Sequence, residues 1–466
     1  MSGTTRAVVL GGGLAGLLAA TVLARHVDQV TVVDRDSLPA GPEPRKGVPQ
    51  GRHAHLLWSG GARAIEALLP GTTERWLAAG ARQVSVHQDM LSLTAYGWQH
   101  RFPGTQFMIA CSRPLLDQAV REAVLAEPRI TLRERTGAQG LLGDPERVTG
   151  VLVQGEEVAA DLVVDATGRG SRLEQWLPAL GLPVPEIDRV DPGIVYATRI
   201  YRAPHGMAAA FPVVSVYADH RDGRPGRNGV VLPIEGDRWM VTLSGTRNGE
   251  PGGTEAEFTA FANALRHPVV AGLIAGAEPL TGVQRTRSTA SRRLFCERAE
   301  RWPAGLLAIG DALAALNPVY GHGMSAAALE AVALDGVLAA DGLGGAATAR
   351  AQQAIARAVD DPWIFAASQD ICYPDCRTEV GDPRLTVQAG ERRRFAELIG
   401  ATAIRSPALS AATTAVSTLS APSGSLEDAA VLAELRKGPQ RPELVQPPLK
   451  ASERELLARC VGEPVA

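Results

Sequence analysis

A chain of 466 residues, 45% hydrophobic and 21% charged, is long enough for about two to four folding units and has the balance of ordinary globular domains, which excludes a disordered or fibrous chain. The formal net charge of -3 supplies no global field for nucleic acid or an anionic membrane surface, so neither is an expected partner. Five cysteines at irregular spacing exclude a disulfide scaffold, Cys372 and Cys376 lack companion ligands for a metal, and no apolar run reaches the ~20 residues of a membrane span. No signal-peptide pattern precedes the first apolar run, so the expectation is a cytoplasmic protein with reduced thiols, no metal and no membrane span.

In chain order, Ala7–Leu10 is a short continuous apolar run, as a strand buried on both faces requires. After a cluster of glycines, the Ala- and Leu-rich stretch from Leu14 to Arg25 predicts a helix, and Val30–Val33 a second strand ending at Asp34. Residues 39–49 are rich in Pro and Gly and read as a loop. Helices are expected over 62–69 and 113–126, short strands within 84–110, and a buried strand over 161–165. Strand-like runs at 194–201, 213–217, 230–234 and 239–243, with turn signals such as Asn228-Gly229, predict an antiparallel sheet. Dinucleotide-domain character returns at Gly305–Ile309, and the last hundred or so residues read as helical and connecting, with 439–449 a Pro-rich extended tail.

The fold class is therefore α/β: a Rossmann-like domain formed by 1–83, 111–187 and 285–360, a mixed or antiparallel-sheet substrate domain formed by 84–110 and 188–284, and a mostly helical C-terminal region over 361–466.

Gly11-x-Gly13-x-x-Gly16 follows the first strand and opens the first helix. Gly11 permits the tight turn, Gly13 lets the backbone approach a pyrophosphate, and Gly16 lets helix pack on strand. The phosphates then lie at a helix N-terminus, where free N–H groups and the dipole favour negative charge. Asp34, ending the second strand, is placed to accept hydrogen bonds from ribose hydroxyls, and its charge weighs against a 2′-phosphate. Ala15 and Arg35, inside and beside these motifs, join the expected cofactor contacts.

A second segment, Leu306-Leu307-Ala308-Ile309-Gly310-Asp311-Ala312, delivers a strand to a turn. It is followed by Asn317-Pro318-Val319-Tyr320-Gly321-His322-Gly323-Met324, which predicts another glycine-preceded helix N-terminus, suited to stabilising negative charge on a flavin ring.

These paired segments, with Asp161-Leu162-Val163-Val164-Asp165-Ala166-Thr167-Gly168 between them, resemble the FAD-dependent monooxygenases of the para-hydroxybenzoate hydroxylase fold over about residues 5–360. The resemblance implies that FAD is the cofactor, that Asp34 holds the adenosine ribose, and that Arg113, opening the helix of Cys111-Ser112-Arg113-Pro114-Leu115, contacts the cofactor. It implies that Gly310 and Asp311 lie at the pyrophosphate or ribityl chain, Pro318 beside the reactive edge, and Gly321, Gly323 and Met324 at the pyrimidine end. Pro318 and Gly321 are the flavin-edge candidates; no catalytic side chain stands out.

Three further segments, 45–55 (Arg45-Lys46-Gly47-Val48-Pro49-Gln50-Gly51-Arg52-His53-Ala54-His55), 96–102 and 317–324, resemble the bacterial epoxidases of polyether ionophore biosynthesis, which are related to squalene epoxidase. That resemblance implies epoxidation of alkenes in a linear polyketide through a flavin C4a-hydroperoxide, with O2 and a lipophilic polyene or polyketide as partners. Thr167-Gly168 stands where many aromatic hydroxylases of the fold carry Asp-Gly, so the reductant is NAD(P)H used directly or through a separate flavin reductase. The alternatives are aromatic hydroxylation of a polyketide, which calls for an acidic or His base, and flavin-dependent alkene reduction, which consumes no O2. A halogenase would need a lysine beside the flavin, and Lys46 is the only lysine before Lys437.

Arg45 is expected to touch FAD, His53 and His55 to serve the cofactor loop, and His322 to fill space between two glycines. Tyr96, Trp98 and Phe102 read more readily as sheet core than as a pocket wall.

Overall fold

The computed structural model describes residues 4–287 and 290–461; the end of the expected C-terminal region, 462–466, lies outside them. The chain opens with strand β1 (Arg6–Leu10), helix α1 (Leu14–Leu23) and strand β2 (Gln29–Val33). Helix α2 (Ser59–Leu68), strand β3 (Met90–Thr94), helix α3 (Arg113–Leu125), and strands β4 (Ile130–Arg133) and β5 (Leu162–Asp165) follow. Four strands come next, β6 (Val195–Arg202), β7 (Val213–Val216), β8 (Arg227–Ile234) and β9 (Arg238–Gly245), then helix α4 (Val269–Ala275). Strand β10 (Leu306–Ala308) precedes the long helices α5 (Gly323–Asp341) and α6 (Gly345–Asp370), and α7 (Pro407–Ser417) and α8 (Ala451–Val461) end the description.

The five-stranded parallel sheet has the order β10-β5-β1-β2-β4. Val9, Val163, Val164 and Leu307 are completely buried, because helices cover both faces of such a sheet. The larger, eight-stranded sheet runs through β6-β9-β8-β7-β3, antiparallel except for the parallel β7–β3 pair. Two separate clusters of apolar side chains pack on it, one containing Trp98, Trp239 and Phe258, the other Leu56, Trp58, Met90 and Met240.

Three expectations change. Asn228-Gly229 is not a turn: both residues lie inside β8, and the β8–β9 turn is made by Glu235-Gly236-Asp237, with φ of +73° and +52° at Gly236 and Asp237. Gly229 is small for another reason, since Leu265 Cδ1 would stand 2.5 Å from a Cβ there.

The Pro-rich stretch near 439–449 is extended but is not a free tail. His100 Nε2 donates to Pro442 O at 2.9 Å, Leu444 and Leu449 pack on the sheet core, and Gly276 of the α4 end abuts Cys460 of α8. Proline makes the stretch extended, and its leucines dock it.

Finally, α5 is long and apolar enough to cross a membrane, contrary to the expectation that no stretch reaches that length. It packs against α1, α2 and α6, half of it is buried, and Glu330 lies on the buried side, as in the core helix of a folded domain.

The extended stretch is closed by a buried ion pair, Arg101 Nη1 to Glu453 Oε2 at 2.5 Å, with side chains only 9% and 5% exposed. Arg101→Met leaves the buried carboxylate only the Lys450 N–H at 2.8 Å and the Lys450 ammonium at 4.0 Å, and is expected to lower unfolding free energy by about 3 kcal/mol. Adding Glu453→Leu is expected to restore most of that loss. Denaturant unfolding of the single and double variants checks it, and equal stability of wild type and the single variant would contradict the closure.

Candidate functional site

The cavity follows from how the first turn is built. Gly11 has φ of +104° and donates its N–H to Val33 O at 2.7 Å, which turns the chain sharply out of β1. A Cβ at Gly16 would stand 1.8 Å from Gly11 O, so Gly16 lets α1 pack on the turn. Gly13 is the N-cap of α1, no side chain among the described residues caps it, and the space around a Cβ there is open. The first N–H groups of α1 therefore face a cavity of about 500 Å³.

Asp34 is buried beside this turn. Its Oδ2 accepts from Gly12 N at 2.6 Å and from Arg45 Nη2 at 2.8 Å, and its Oδ1 from Asp36 N at 2.7 Å. Arg45 also donates to Gly12 O at 2.7 Å, so the 45–55 loop is pinned to the glycine turn by a buried ion pair. Arg113 opens α3, whose Ser112 cap accepts from Leu115 N, and its guanidinium is held by Asp117 at 2.7 Å.

At the other end, Gly310 adopts φ of +63° and donates its N–H to Glu330 Oε2 at 2.5 Å. Asp311 is steadied by Arg169, which donates to Ala290 O at 2.6 Å and Leu316 O at 2.7 Å and stands 3.5 Å from the carboxylate. Asn317 accepts from Val319 N and Tyr196 Oη, and donates to both oxygens of Asp370 at 2.9 Å. Tyr320 Oη donates to the same carboxylate at 2.8 Å, and Trp58 Nε1 donates to Tyr320 O at 3.0 Å. Gly321 then turns with φ of +68° into α5, whose N-terminus has no side-chain cap among the described residues and no acid in its first turn.

Burial sets the titration of this site. It pushes the carboxyls of Glu330 and Asp370 up to about 7. It pushes His53 down to about 4, helped by Arg52, His55 to about 3, helped by Arg113, and His322 to about 4. His55 Nδ1 faces His53 O at 2.8 Å; a carbonyl only accepts, so this nitrogen carries the proton of the neutral ring.

Of the residues expected at the cofactor, Gly11, Gly13, Ala15, Asp34, Arg35, Arg45, Arg113, Gly310, Asp311, Pro318, Gly321, Gly323 and Met324 all line this one cavity, and only Gly16 does not. His53 and His55 also line it, whereas Tyr96, Trp98 and Phe102 do not. His322 donates to Ser417 O at 2.9 Å, which fastens α7 to the 317–323 turn. Thr167 is tied to Asp165 through both N and Oγ1, at 2.9 and 2.5 Å.

Sequence reasoning missed Glu330, Asp370, Arg169 and Tyr196. Glu330 carried a faint signal, a lone acid in an Ala-rich stretch; Asp370 carried none, standing 53 residues from its partner Asn317.

A family model described as "FAD binding domain" matches residues 4–359. Protein Rv3254 of Mycobacterium tuberculosis (strain ATCC 25618 / H37Rv) is 34% identical over 395 residues, 80% of this chain and 81% of the relative. The 6-methylpretetramide 4-monooxygenase of Streptomyces rimosus is 26% identical over 353 residues, 72% and 75% of the two chains. Among solved structures, the flavin-dependent brominase Bmp2 superposes with a TM-score of 0.63 at 16% identity, covering 93% of this chain and 98% of its own. PqsL from Pseudomonas aeruginosa, described as a probable FAD-dependent monooxygenase, gives 0.59 at 18%, covering 84% and 98%. At these identities the two structures speak to fold alone.

FAD suits the residues present. Its pyrophosphate needs the open, uncapped N-terminus at Gly13, its ribose an acid such as Asp34, and its ring the second uncapped N-terminus at Gly323, and all three open on one cavity.

Glu330 generates a pH prediction. Its carboxyl titrates near 7 in the fold against 4.5 unfolded, so the folded chain binds this proton more tightly, and stability falls as pH rises from 4.5 through about 7. Glu330→Gln keeps an acceptor for Gly310 N and removes the titration. Between pH 5 and pH 8 its unfolding free energy should shift in its favour, relative to wild type, by about 2–3 kcal/mol. Parallel pH profiles for the two proteins would contradict the assignment.

Proposed function

The chain belongs to the FAD binding domain family, and from that premise we propose that it is an FAD-dependent monooxygenase that oxygenates a polyketide-type small molecule. The observation that carries the reading is the opening of two uncapped helix N-termini, α1 and α5, on the same cavity. A nicotinamide dehydrogenase needs only the first; a flavin enzyme uses the second beside its ring. Bound there, FAD supplies electron storage and the activation of O2.

The chain's own residues bind and shield. The N–H groups at the start of α1 take the pyrophosphate, Asp34 the ribose hydroxyls, and Arg113, held by Asp117 at 2.7 Å, lines the same cavity as a further donor. The start of α5 presents the positive end of its dipole to the ring, and the Pro318–Gly321 turn forms the wall beside it. A side chain at Gly321 would meet Leu56 and Trp58 within 3.0–3.1 Å, so this wall is tightly packed and keeps water out. Asp370 and Ser417, from the C-terminal region, fasten the turn from behind.

Within this reaction class, epoxidation of an alkene is the preferred step. It is supported by the resemblance of residues 45–55 and 317–324 to polyether epoxidases, and it needs no protein base. Aromatic hydroxylation is the second reading, favoured by the similarity to the 6-methylpretetramide monooxygenase. It calls for a group that removes a phenol proton, and His53 and His55, held near 4 and 3, are weak bases for that task. NAD(P)H, directly or through a separate flavin reductase, is the proposed reductant.

Turnover of polyketide candidates under labelled O2 tests the reading. One labelled oxygen per product is expected, on an epoxide carbon by NMR; a label on an aromatic ring selects the second reading. Saturation of an alkene without O2 uptake would overturn both and make the enzyme a reductase.

A further inference from the structure

The turn that walls the cavity before α5 is held from behind by one acid at the end of α6. Asn317 Nδ2 donates to both oxygens of Asp370 at 2.9 Å and Tyr320 Oη donates to Asp370 Oδ1 at 2.8 Å, while Asn317 Oδ1 accepts from Tyr196 Oη at 3.1 Å. Asn317 thus stands between Asp370 and two parts of the cavity wall: Tyr196, through its hydrogen bond, and Pro318, through the chain. Asp370 and Asn317 are each 1% exposed and Tyr196 is 6% exposed. No cation pairs with this carboxylate among the described residues. A charge placed there is poorly screened and is felt across the wall.

The groups packed around Asp370 leave it as the local titrating site. Tyr320 comes from the turn, Tyr196 from β6, and Cys372, Tyr373 and Cys376 from the chain just after α6. Burial raises all five above their ordinary values, Cys376 to about 12, so they stay neutral around pH 7. His322, beside Tyr320, is pushed down to about 4 by burial and is neutral there as well. Asp370 is pushed up to about 7 by burial, against its Asn317 and Tyr320 donors, so it passes from acid to carboxylate in this range.

The same turn leads into α5, whose uncapped N-terminus presents the positive end of its dipole. Two electrons and one proton added to FAD leave one negative charge on the flavin. The helix end favours that charge, and a carboxylate behind Asn317 opposes it. Of these two opposing influences, a proton switches only the second.

We propose that Asp370 is a positioning residue that tunes the flavin: it fixes the wall through Asn317, and its ionised carboxylate opposes the charge that reduction adds, so that bound FAD becomes harder to reduce as pH rises. The proposal rests on the FAD reading of the cavity and not on the identity of the substrate. Asp370 lies beyond the residues that the family model matches, so the tuning comes from the C-terminal region.

The test is the midpoint reduction potential of the FAD-loaded protein, measured against a reference dye at about pH 5.5 and 8.5 for wild type and Asp370→Asn. At the lower pH position 370 is neutral in both proteins, and the two potentials are expected to agree. At the higher pH wild type is expected to hold reduced FAD, relative to oxidised FAD, about tenfold less tightly than the variant, a potential lower by about 30 mV for this two-electron couple. Glu330, which also titrates near 7, is present in both proteins and cancels in the comparison. A purely structural Asp370 would shift the potential equally at both pH values, and that result, or no difference at either, overturns the proposal. Tyr320→Phe is an independent check, and the deciding one should Asp370→Asn not fold. It removes a donor from the ionised carboxylate, so the carboxyl titrates at higher pH and the wild-type potential is expected to fall first as pH rises through about 7. Superimposed potential–pH curves for wild type and Tyr320→Phe overturn the proposal. A chain that takes up no FAD overturns the cofactor reading itself, and the proposal with it.

Discussion

Two helix N-termini left without side-chain caps, and opening on one cavity, are the constraint on which the rest of this structure depends. An uncapped helix start exposes several N–H groups and about half a positive charge. Burying one without a partner is unfavourable, and burying two within one cavity defines a site for an elongated anion with a second electron-rich end. The glycines that make the approach possible follow from this requirement: Gly11 and Gly16 at α1, Gly310 and Gly321 before α5. At each of the four a Cβ would stand within 3.0 Å of another atom.

Holding the second N-terminus in place puts strong demands on the chain. The 310–323 segment is irregular backbone, and its polar groups are satisfied by buried acids, Glu330 beneath Gly310 and Asp370 beneath Asn317 and Tyr320. Neither acid has an ion-pair partner among the described residues, and burial raises both toward neutrality. The segment therefore leans on two helices at once, α5 from within the family match and the end of α6 just beyond it. The region after residue 359 is for this reason part of the site's support rather than an appendage, and the His322–Ser417 bond makes the same point for α7.

How much of this was legible depended on whether the relevant force was local. The α1 turn was readable because strand, glycine spacing and Asp34 lie within a short stretch and each glycine meets a steric demand of its own. Most strands of both sheets were readable from apolar runs, and their ends shifted by only a few residues; the edge strand β4, with its polar Thr131 and Arg133, was not. Asn228-Gly229 misled because its composition fits a turn, while the sheet uses it as strand with Leu265 packed over the glycine. The docked stretch after 438 misled in the opposite way, since its leucines find their partners more than 150 residues away, on the larger sheet. Asp370 and Arg169 were invisible, because packing brings them to Asn317 and Asp311 from far along the chain and no spacing encodes it.

The account's central claim is that both helix ends act together on one ligand, and competitive equilibrium binding to the protein freed of cofactor tests it most directly. FAD carries both the pyrophosphate-adenosine end and the flavin ring, FMN lacks the first, and NAD lacks the second. The account predicts one FAD per chain, bound about a hundredfold or more tighter than either FMN or NAD. NAD or FMN binding as tightly as FAD would show that one end suffices and would contradict it.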